Sequence, residues 1–411
     1  MADGPIAQLQ IASHNVQGLN SPIKRRKVLD YYKHLKLDII MLQETHFPSR
    51  YSPKFLHPHF PQFFLASANN KTKGVAILIS KNHKFVKIFE HADPEGRFLL
   101  VKGMVGDHLY SLVSYYAPNR GQATFFDSLL HSLAQKLEGM IILGGDLNAA
   151  FDQGLDKSKP PRSQLTRPTK ESLRIAKAIH THGLSDIWRE LNPNKRDYTH
   201  YSSPHNTYAR IDHILTPSSL LPSIHKAQIR ESALSDHSIV TITLKTGALG
   251  RSRGHWRLNE SLLSDPIRVT ELETALQEYF TLNKTENTSP EMLWVAHKAF
   301  IRGKLIQIST QIKREQRADI LRLDAEYNKL KASHKKDPSK TPSSLIDKAR
   351  LDLNLALTAK AEKVIRWNKH KFYTQAHKIG PLLATRLSPP IKTHALPKIR
   401  INPPRLIRPR Y

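Results

Sequence analysis

The chain has 411 residues, of which 63 are Lys or Arg against 35 Asp or Glu, giving a net charge of +28, and it contains no cysteine. Such a balance favours a polyanionic partner, with nucleic acid ahead of an anionic membrane surface. The lack of thiols excludes disulfides and thiolate metal sites, so a metal would have to be held by carboxylate, amide or imidazole, a donor set that suits a hard cation such as Mg²⁺. The opening MADGPIAQLQ has no basic-then-apolar signal, and no uninterrupted apolar run approaches ~20 residues, so the expectation is an intracellular protein without a membrane span.

Up to residue 245 short apolar runs alternate with Gly, Pro and Asn breaks. LDIIMLQE, GVAILIS, HLYSLVSYYAP, GMIILGGD and IVTITL read as strands, several apolar on both faces, as in a sheet covered by helices. Ile23–Leu35, Thr124–Leu137 and Lys170–His182 read as helices between them, which predicts a layered α/β domain over residues 8–245. GALGRSRG, from Gly247 to Gly254, breaks this pattern and opens a linker running to residue 289. A basic α-helical region is expected over 290–378, with Leu305, Ile308 and Ile312, then Leu351 and Leu355, at helical spacing and HKKDPSKTPS as the turn between two helices. Residues 379–411, rich in Pro, Lys and Arg and free of acids, are expected to form a disordered tail. Residues 246–411 carry net +17 and the rest net +11, so both halves could face nucleic acid, although a solvated helical hairpin explains the second half equally well.

Polar residues end several of the apolar runs. LQIASHNVQGLN leads to Asn15, LDIIMLQETH to Glu44, MIILGGDLNAAF to Asp146 and Asn148, and ALSDHSIVTITL opens with Asp236 and His237. TYARIDHIL reads as a further strand with Asp212 in its interior. In open α/β sheets ligands bind outside the carboxyl ends of strands, so these groups would converge. Singly, each is explained as a turn former or cap. As a set, carboxylates with amide oxygens offer the open coordination that Mg²⁺ accepts, and an aspartate beside a histidine fixes its tautomer. That combination suits phosphodiester hydrolysis. The sequence contains neither GxxxxGK[ST] nor GxSxG, which argues against a nucleotide motor and a serine hydrolase, and the glycines of GGDLN are read as letting the backbone turn. The histidines of HPHF (57–60) and HTH (180–182) lack zincin spacing and are expected on the surface.

HNVQGLN, LQETH, SYYAPN, GGDLNAAF, RIDHIL and LSDHSIV, in this order, closely resemble the endonuclease/exonuclease/phosphatase superfamily that includes exonuclease III and apurinic endonucleases. Within it, GLNSPIKRRKVLDYYKHLKLDIIMLQETH, TKGVAILIS and DYTHYSSPHNTYARIDHIL are similar to the apurinic-type endonuclease of LINE-type non-LTR retrotransposons, truncated before the reverse transcriptase, since no Tyr-x-Asp-Asp signature occurs. The resemblance implies a four-layered α/β sandwich and a Mg²⁺-dependent endodeoxyribonuclease, with Mn²⁺ as a substitute ion. It implies Glu44 as the principal metal ligand, supported by Asn15, Asp146 and Asn148 or by Asp236 and His237. Asp146 would align or deprotonate water, Asn148 would donate to the phosphate, and Tyr116 would stabilise the phosphate or the leaving oxygen. His237, oriented by Asp212, would contact the phosphate or act as base, and Asn119 would brace Tyr116 or the DNA strand.

DYTHYSSPHNTYARID alternates like a hairpin with SPHN at its tip. By the same resemblance the hairpin enters the DNA minor groove, with Thr199 and Ser202, then His205, Asn206 and Arg210, as contacts. Minor-groove readout senses width more than sequence, so a preference for flexible T-rich/A-rich junctions is expected. Lys24, Arg25, Arg26 and Lys27 could hold phosphates or simply solvate a helix start. The implied partner is double-stranded DNA, acted on in the nucleus, with RNA left open for the basic C-terminal half. A cellular repair enzyme of the exonuclease III kind, an inositol phosphate phosphatase and a nucleic-acid-binding remnant without catalytic use remain as alternatives.

Overall fold

The computed structural model describes residues 7–48, 57–68, 72–158, 168–246, 258, 260–285, 289–338 and 341–375. The expected boundary at 247–254 and the tail at 379–411 lie outside the described residues. The first sheet runs in the order β13 (Ile224–Arg230), β14 (Ile239–Thr246), β1 (Ala7–Asn15), β2 (Ile39–Gln43), β4 (Val75–Ile79), β3 (Gln62–Ala66). The second runs β5 (Phe85–Ala92), β6 (Phe98–Val105), β7 (His108–Tyr116), β8 (Met140–Asp146), β12 (Asp212–Pro217), β9 (Leu184–Asp186). Within these sheets β1 and β2 pair in parallel, as do β7 and β8, and the other pairs are antiparallel.

Strand periodicity explains the layering. On β2, Ile39 and Met41 face the second sheet while Ile40 and Leu42 face the helical layer, which is why this strand is apolar from Ile39 to Leu42. Leu9, Ile11, Ile77, Leu112, Ile142 and Ile214 fill the space between the sheets. Helix α1 (Pro22–His34) covers the first sheet through Val28, Leu29, Tyr31 and Tyr32. It starts where Ser21 accepts from Lys24 N–H and Pro22 occupies the first turn. Helices α2 (Gln122–Leu133) and α3 (Lys170–Thr181) cover the second sheet, burying Phe126, Leu130, Ile175 and Ala178 over Val113 and Tyr115. The result is the expected four-layered α/β sandwich. A short helix α4 (Ile187–Leu191) follows β9, and a two-stranded hairpin, β10 (His200–Ser202) and β11 (Thr207–Ala209), stands apart from both sheets.

Within the stretch read as linker the chain forms α5 (Pro266–Asn283), capped by Asp265, and its Leu272 packs with Leu262 against Leu305 and Ile308 of α6 (Pro290–Lys336). Further along, Ile320 and Tyr327 of α6 join α1 in one apolar cluster with Ile346, Ala349, Leu353 and Leu357 of α7 (Ser343–Gln375). Each large aliphatic side chain buried this way contributes roughly 1.5–3 kcal/mol. The expected stripe on α7 is corrected: Leu351 and Leu355 are 57% and 58% exposed, and the helix buries the parallel stripe Ile346, Ala349, Leu353, Leu357 instead. Both stripes satisfy helical spacing, and only the partner surface selects between them. The chain divides into two compact units, Met1–Ala361 and Glu362–Tyr411, the second described only over the end of α7. Among the described residues no helix is long and apolar enough to cross a membrane.

Three local expectations are also corrected. The histidines of HPHF are buried, His57 lying 3.2 Å from Asp30. TYARIDHIL is two strands, so Asp212 opens β12 and does not sit in a strand interior. Gly144 and Gly145 lie inside β8 without positive φ, and their role is close approach: a Cβ on Gly144 would come within 2.4 Å of Met41 in the opposite sheet, and one on Gly145 within 2.3 Å of the Tyr115 carbonyl.

Candidate active site

The carboxyl ends of β1, β2 and β8 converge with the start of β12 and the loop before β14. Asn15, last in β1, donates through Nδ2 to Glu44 Oε1 at 2.8 Å and to Asp146 Oδ2 at 2.9 Å. Its own oxygen accepts from Gln17 N–H at 3.1 Å, so Asn15 clamps the two carboxylates together and has its oxygen engaged within the chain. Glu44, just past β2, also accepts from His46 Nε2 at 3.1 Å and from the Tyr116 hydroxyl. Burial pushes its pKa up, but the hydrogen bonds from His46, Asn15 and Tyr116 prevail and hold it down at about 2. Burial and the Glu44 charge raise the Tyr116 phenol, which therefore stays protonated as a donor. Arg97 packs over the Tyr116 ring at 5.4 Å.

Asp146 ends β8 directly across from Asp212, with which it is in register. Its Oδ1 accepts from Asn148 N–H at 2.8 Å. Burial, then the neighbouring Asp212 charge, push the Asp146 carboxyl up to about 7. His237 donates through Nδ1 to Asp212 Oδ2 at 2.8 Å and turns Nε2 toward Asp146 Oδ2 at 3.9 Å. Burial works against its cationic form, but Asp212 and then Asp146 overcome this and raise it to about 10. The fully buried Asp212 carboxylate also takes a hydrogen bond from the Thr199 side chain. Four non-glycine residues around this cluster, Gln17, Glu44, His46 and Asn148, adopt positive φ between 47° and 60°. Such backbone costs of order 1–3 kcal/mol per residue and gathers at functional sites.

The remaining sequence-predicted residues fall into three groups. Asn148 is beside Asp146, with one amide N–H spent on the Ala117 carbonyl at 2.9 Å. Asp236 sits at the exposed rim, accepting from Gln17 Nε2 at 3.1 Å and 4.0 Å from His200. Asn119 is exposed at the end of the β7 loop. On the hairpin, Ser202 is half-buried and His205 and Asn206 occupy the exposed turn Ser203–Asn206, as expected.

Thr199 and Arg210 are placed otherwise. Both are 1% exposed. The Thr199 hydroxyl accepts from the N–H groups of Ile211 and Asp212, and Arg210 is bound to Asp156 and Asp186. They support the site from within and offer no side chain to a groove. The four basic residues at the start of α1 are likewise engaged internally: Lys24 with the Gln17 carbonyl, Arg25 with Leu19 and Asn20, Arg26 with Asp30, and Lys27 with Asn354 and Thr358.

Three further residues, His46, Arg97 and His200, belong to the site; His46 lies in LQETH, two residues from Glu44, and that spacing is its signal. The His200 ring lies tilted against His237 with centres 4.7 Å apart, and Arg97 meets Tyr116 across a strand pair; neither has a local sequence marker.

The donor chemistry fits a hard divalent cation. Asp146 and Asp212 are buried side by side around His237, the charge of one raises the other, and Glu44 adds a third carboxylate.

Residues 12–237 match the model of the Endonuclease/Exonuclease/phosphatase family, more than half of the chain. The chain belongs to that family, and it is an enzyme of the metal-dependent endonuclease kind. It is 28% identical to the DNA repair nuclease APEX1 of zebrafish, Danio rerio, over 266 residues, 59% of this chain and 84% of the relative. The catalytic domain of Xenopus laevis APE2 shares the fold with a TM-score of 0.50 at 17% identity, over 60% of this chain and 94% of that one. The endonuclease domain of TRAS1, a telomere-specific non-LTR retrotransposon, is similar over 58% of this chain and 99% of that one, with a TM-score of 0.44 at 15% identity.

Proposed function

We propose that the chain nicks one strand of duplex DNA by Mg²⁺-dependent phosphodiester hydrolysis, leaving a 3′-hydroxyl able to prime synthesis. The observation that carries the reading is the convergence of Glu44, Asp146 and the Asp212–His237 pair at one strand end, clamped by Asn15 and roofed by Tyr116. Glu44 and Asp146 would hold the ion, with Asp236 at the rim. When bound, Mg²⁺ neutralises charge on the phosphate and on the departing oxygen. Asp146, once deprotonated, aligns the attacking water and takes its proton. His237, cationic beside Asp212, faces the scissile phosphate with Nε2. Tyr116 donates its hydroxyl to the phosphate or the leaving oxygen, and Asn148 donates through the amide N–H that Ala117 leaves free.

The hairpin would meet the minor groove through Ser202, His205 and Asn206, favouring T-rich/A-rich junctions in the manner of a retrotransposon endonuclease acting in the nucleus. The sequence similarity to a DNA repair nuclease favours a second reading, incision at abasic sites. The test is nicking of supercoiled plasmid with Mg²⁺ by wild type, Asp146→Ala and His237→Ala, followed by comparison of intact T-rich and abasic duplexes. Nicking by wild type alone supports the assignment, and equal activity of all three would remove it. Preference for the abasic duplex would favour repair.

A further inference from the structure

The hairpin root is held from two sides. Toward the active site, Thr199 accepts from Ser238 N–H at 2.7 Å through its carbonyl, and His200 forms a bridge to His237. Toward the helices, one face of the last turns of α6 presents Lys331, His334 and Lys335. His334 is 4% exposed, and its Nδ1 shares a 2.5 Å hydrogen bond with the Tyr208 hydroxyl of β11. Its ring meets Tyr201 of β10 edge-on at 5.3 Å. Lys331 Nζ lies 5.9 Å and 5.5 Å over the rings of Tyr201 and Tyr208. Lys335 binds Asp197 at 2.8 Å, the Tyr198 carbonyl at 2.7 Å and Glu231. Both strands and the loop that enters them are thus gripped by one helix, while Ser203–Asn206 at the tip stays exposed.

Simple packing would not call for this chemistry. Burying Lys331 disfavours its charged form, and the site compensates with two aromatic faces and the Glu231 charge. The grip is directional, because a hydrogen bond and two ring faces fix an angle as well as a distance. We infer that Lys331, His334 and Lys335 are positioning residues that set the angle of the β10–β11 hairpin over the active site, making the end of α6 part of the machinery that selects which phosphodiester is cut. This inference rests on the DNA-nicking reading above. It removes the bland alternative that the helical half is a solvated appendage to a self-sufficient nuclease.

The experiment uses the full chain and maps nick positions on plasmid together with steady-state kinetics for wild type, His334→Ala, Lys331→Met and His334→Gln. His334→Ala and Lys331→Met should spread the nicks over more positions and raise KM about fivefold, the scale of one lost hydrogen bond for His334 and of lost cation–π contacts for Lys331, with kcat changed less than about threefold. His334→Gln, which can again accept from Tyr208, should restore the wild-type pattern. Unchanged nick positions and KM in both loss variants would overturn the inference. Because a variant could lose its fold, amide hydrogen exchange is measured in parallel on Lys331→Met: exchange over 207–209 should quicken about tenfold while β8 is unchanged, and equal rates would overturn the brace. If wild type does not nick, the function proposed above falls, and the exchange measurement decides the brace on its own.

Discussion

Arg210 and Asp212 stand two residues apart, yet they belong to buried charge clusters of opposite character. Around Arg210, the carboxylates of Asp156 and Asp186 meet two guanidiniums, Arg189 and Arg210, and all four carboxylate oxygens have partners, with His213 and the Trp188 ring completing the shell. Burial alone would raise the Asp186 pKa, but Arg210 and His213 hold it well below the usual carboxylate range. Around Asp212, two buried carboxylates share one histidine, and Asp146 is pushed up. The balanced cluster is framework. The unbalanced one has the excess of carboxylate that suits a divalent cation.

The sharpest way to break this contrast is to remove one charged side chain from each cluster. Asp146→Ala should lower nicking by about 10²–10⁴-fold, the scale of a lost general base, while leaving unfolding stability unchanged or higher, as read by plasmid nicking and urea titration of one preparation. Arg210→Met should do the reverse in the first instance, destabilising by about 3–5 kcal/mol because two carboxylates lose their buried partner; a loss below about 1 kcal/mol in urea unfolding would show that the network is not framework.

A smaller effect separates the clusters by ligand. Mg²⁺ at 100 times its dissociation constant should stabilise the wild type by about 2.7 kcal/mol, and that gain should vanish in Asp146→Ala, as read by thermal unfolding. The smallest effect is pH linkage without metal. The folded pKa of Asp146, near 7, exceeds the ordinary unfolded value of 3.8, so its contribution is fully present below 3.8 and is lost as pH rises through 7. Wild type should therefore lose up to about 1.4 kcal/mol per pH unit relative to Asp146→Ala between those limits, with Mg²⁺ flattening the difference. A difference independent of pH would deny Asp146 its raised pKa.

The sequence and the structure agree where local pattern determines position. Asn15, Glu44 and Asp146 end apolar runs, and once those runs are strands of two packed sheets their ends must lie near one another. The hairpin is likewise legible from period-two alternation around SPHN. The burial of Arg210 is not legible in the sequence because its partners Asp156 and Asp186 lie 54 and 24 residues away, and nothing near RID announces them. Thr199 was misplaced for a similar reason, since its hydroxyl caps backbone groups that only the turn into β12 brings near. On α7 the failure was degeneracy: two leucine stripes fit the helix and the chain cannot say which one meets α1. His200 and the α6 grip depend on contacts more than 30 residues distant, beyond any spacing rule.

At Glu44 and Asn148 a left-handed backbone that glycine would relax coincides with a side chain placed in the site. A search for sturdier variants guided by thermal tolerance alone would be drawn toward replacing these residues, and each gain there would be a loss of chemistry. The strand exits of this fold are therefore places where durability and activity are opposed by geometry, and a stabilised version of the molecule has to find its improvements elsewhere.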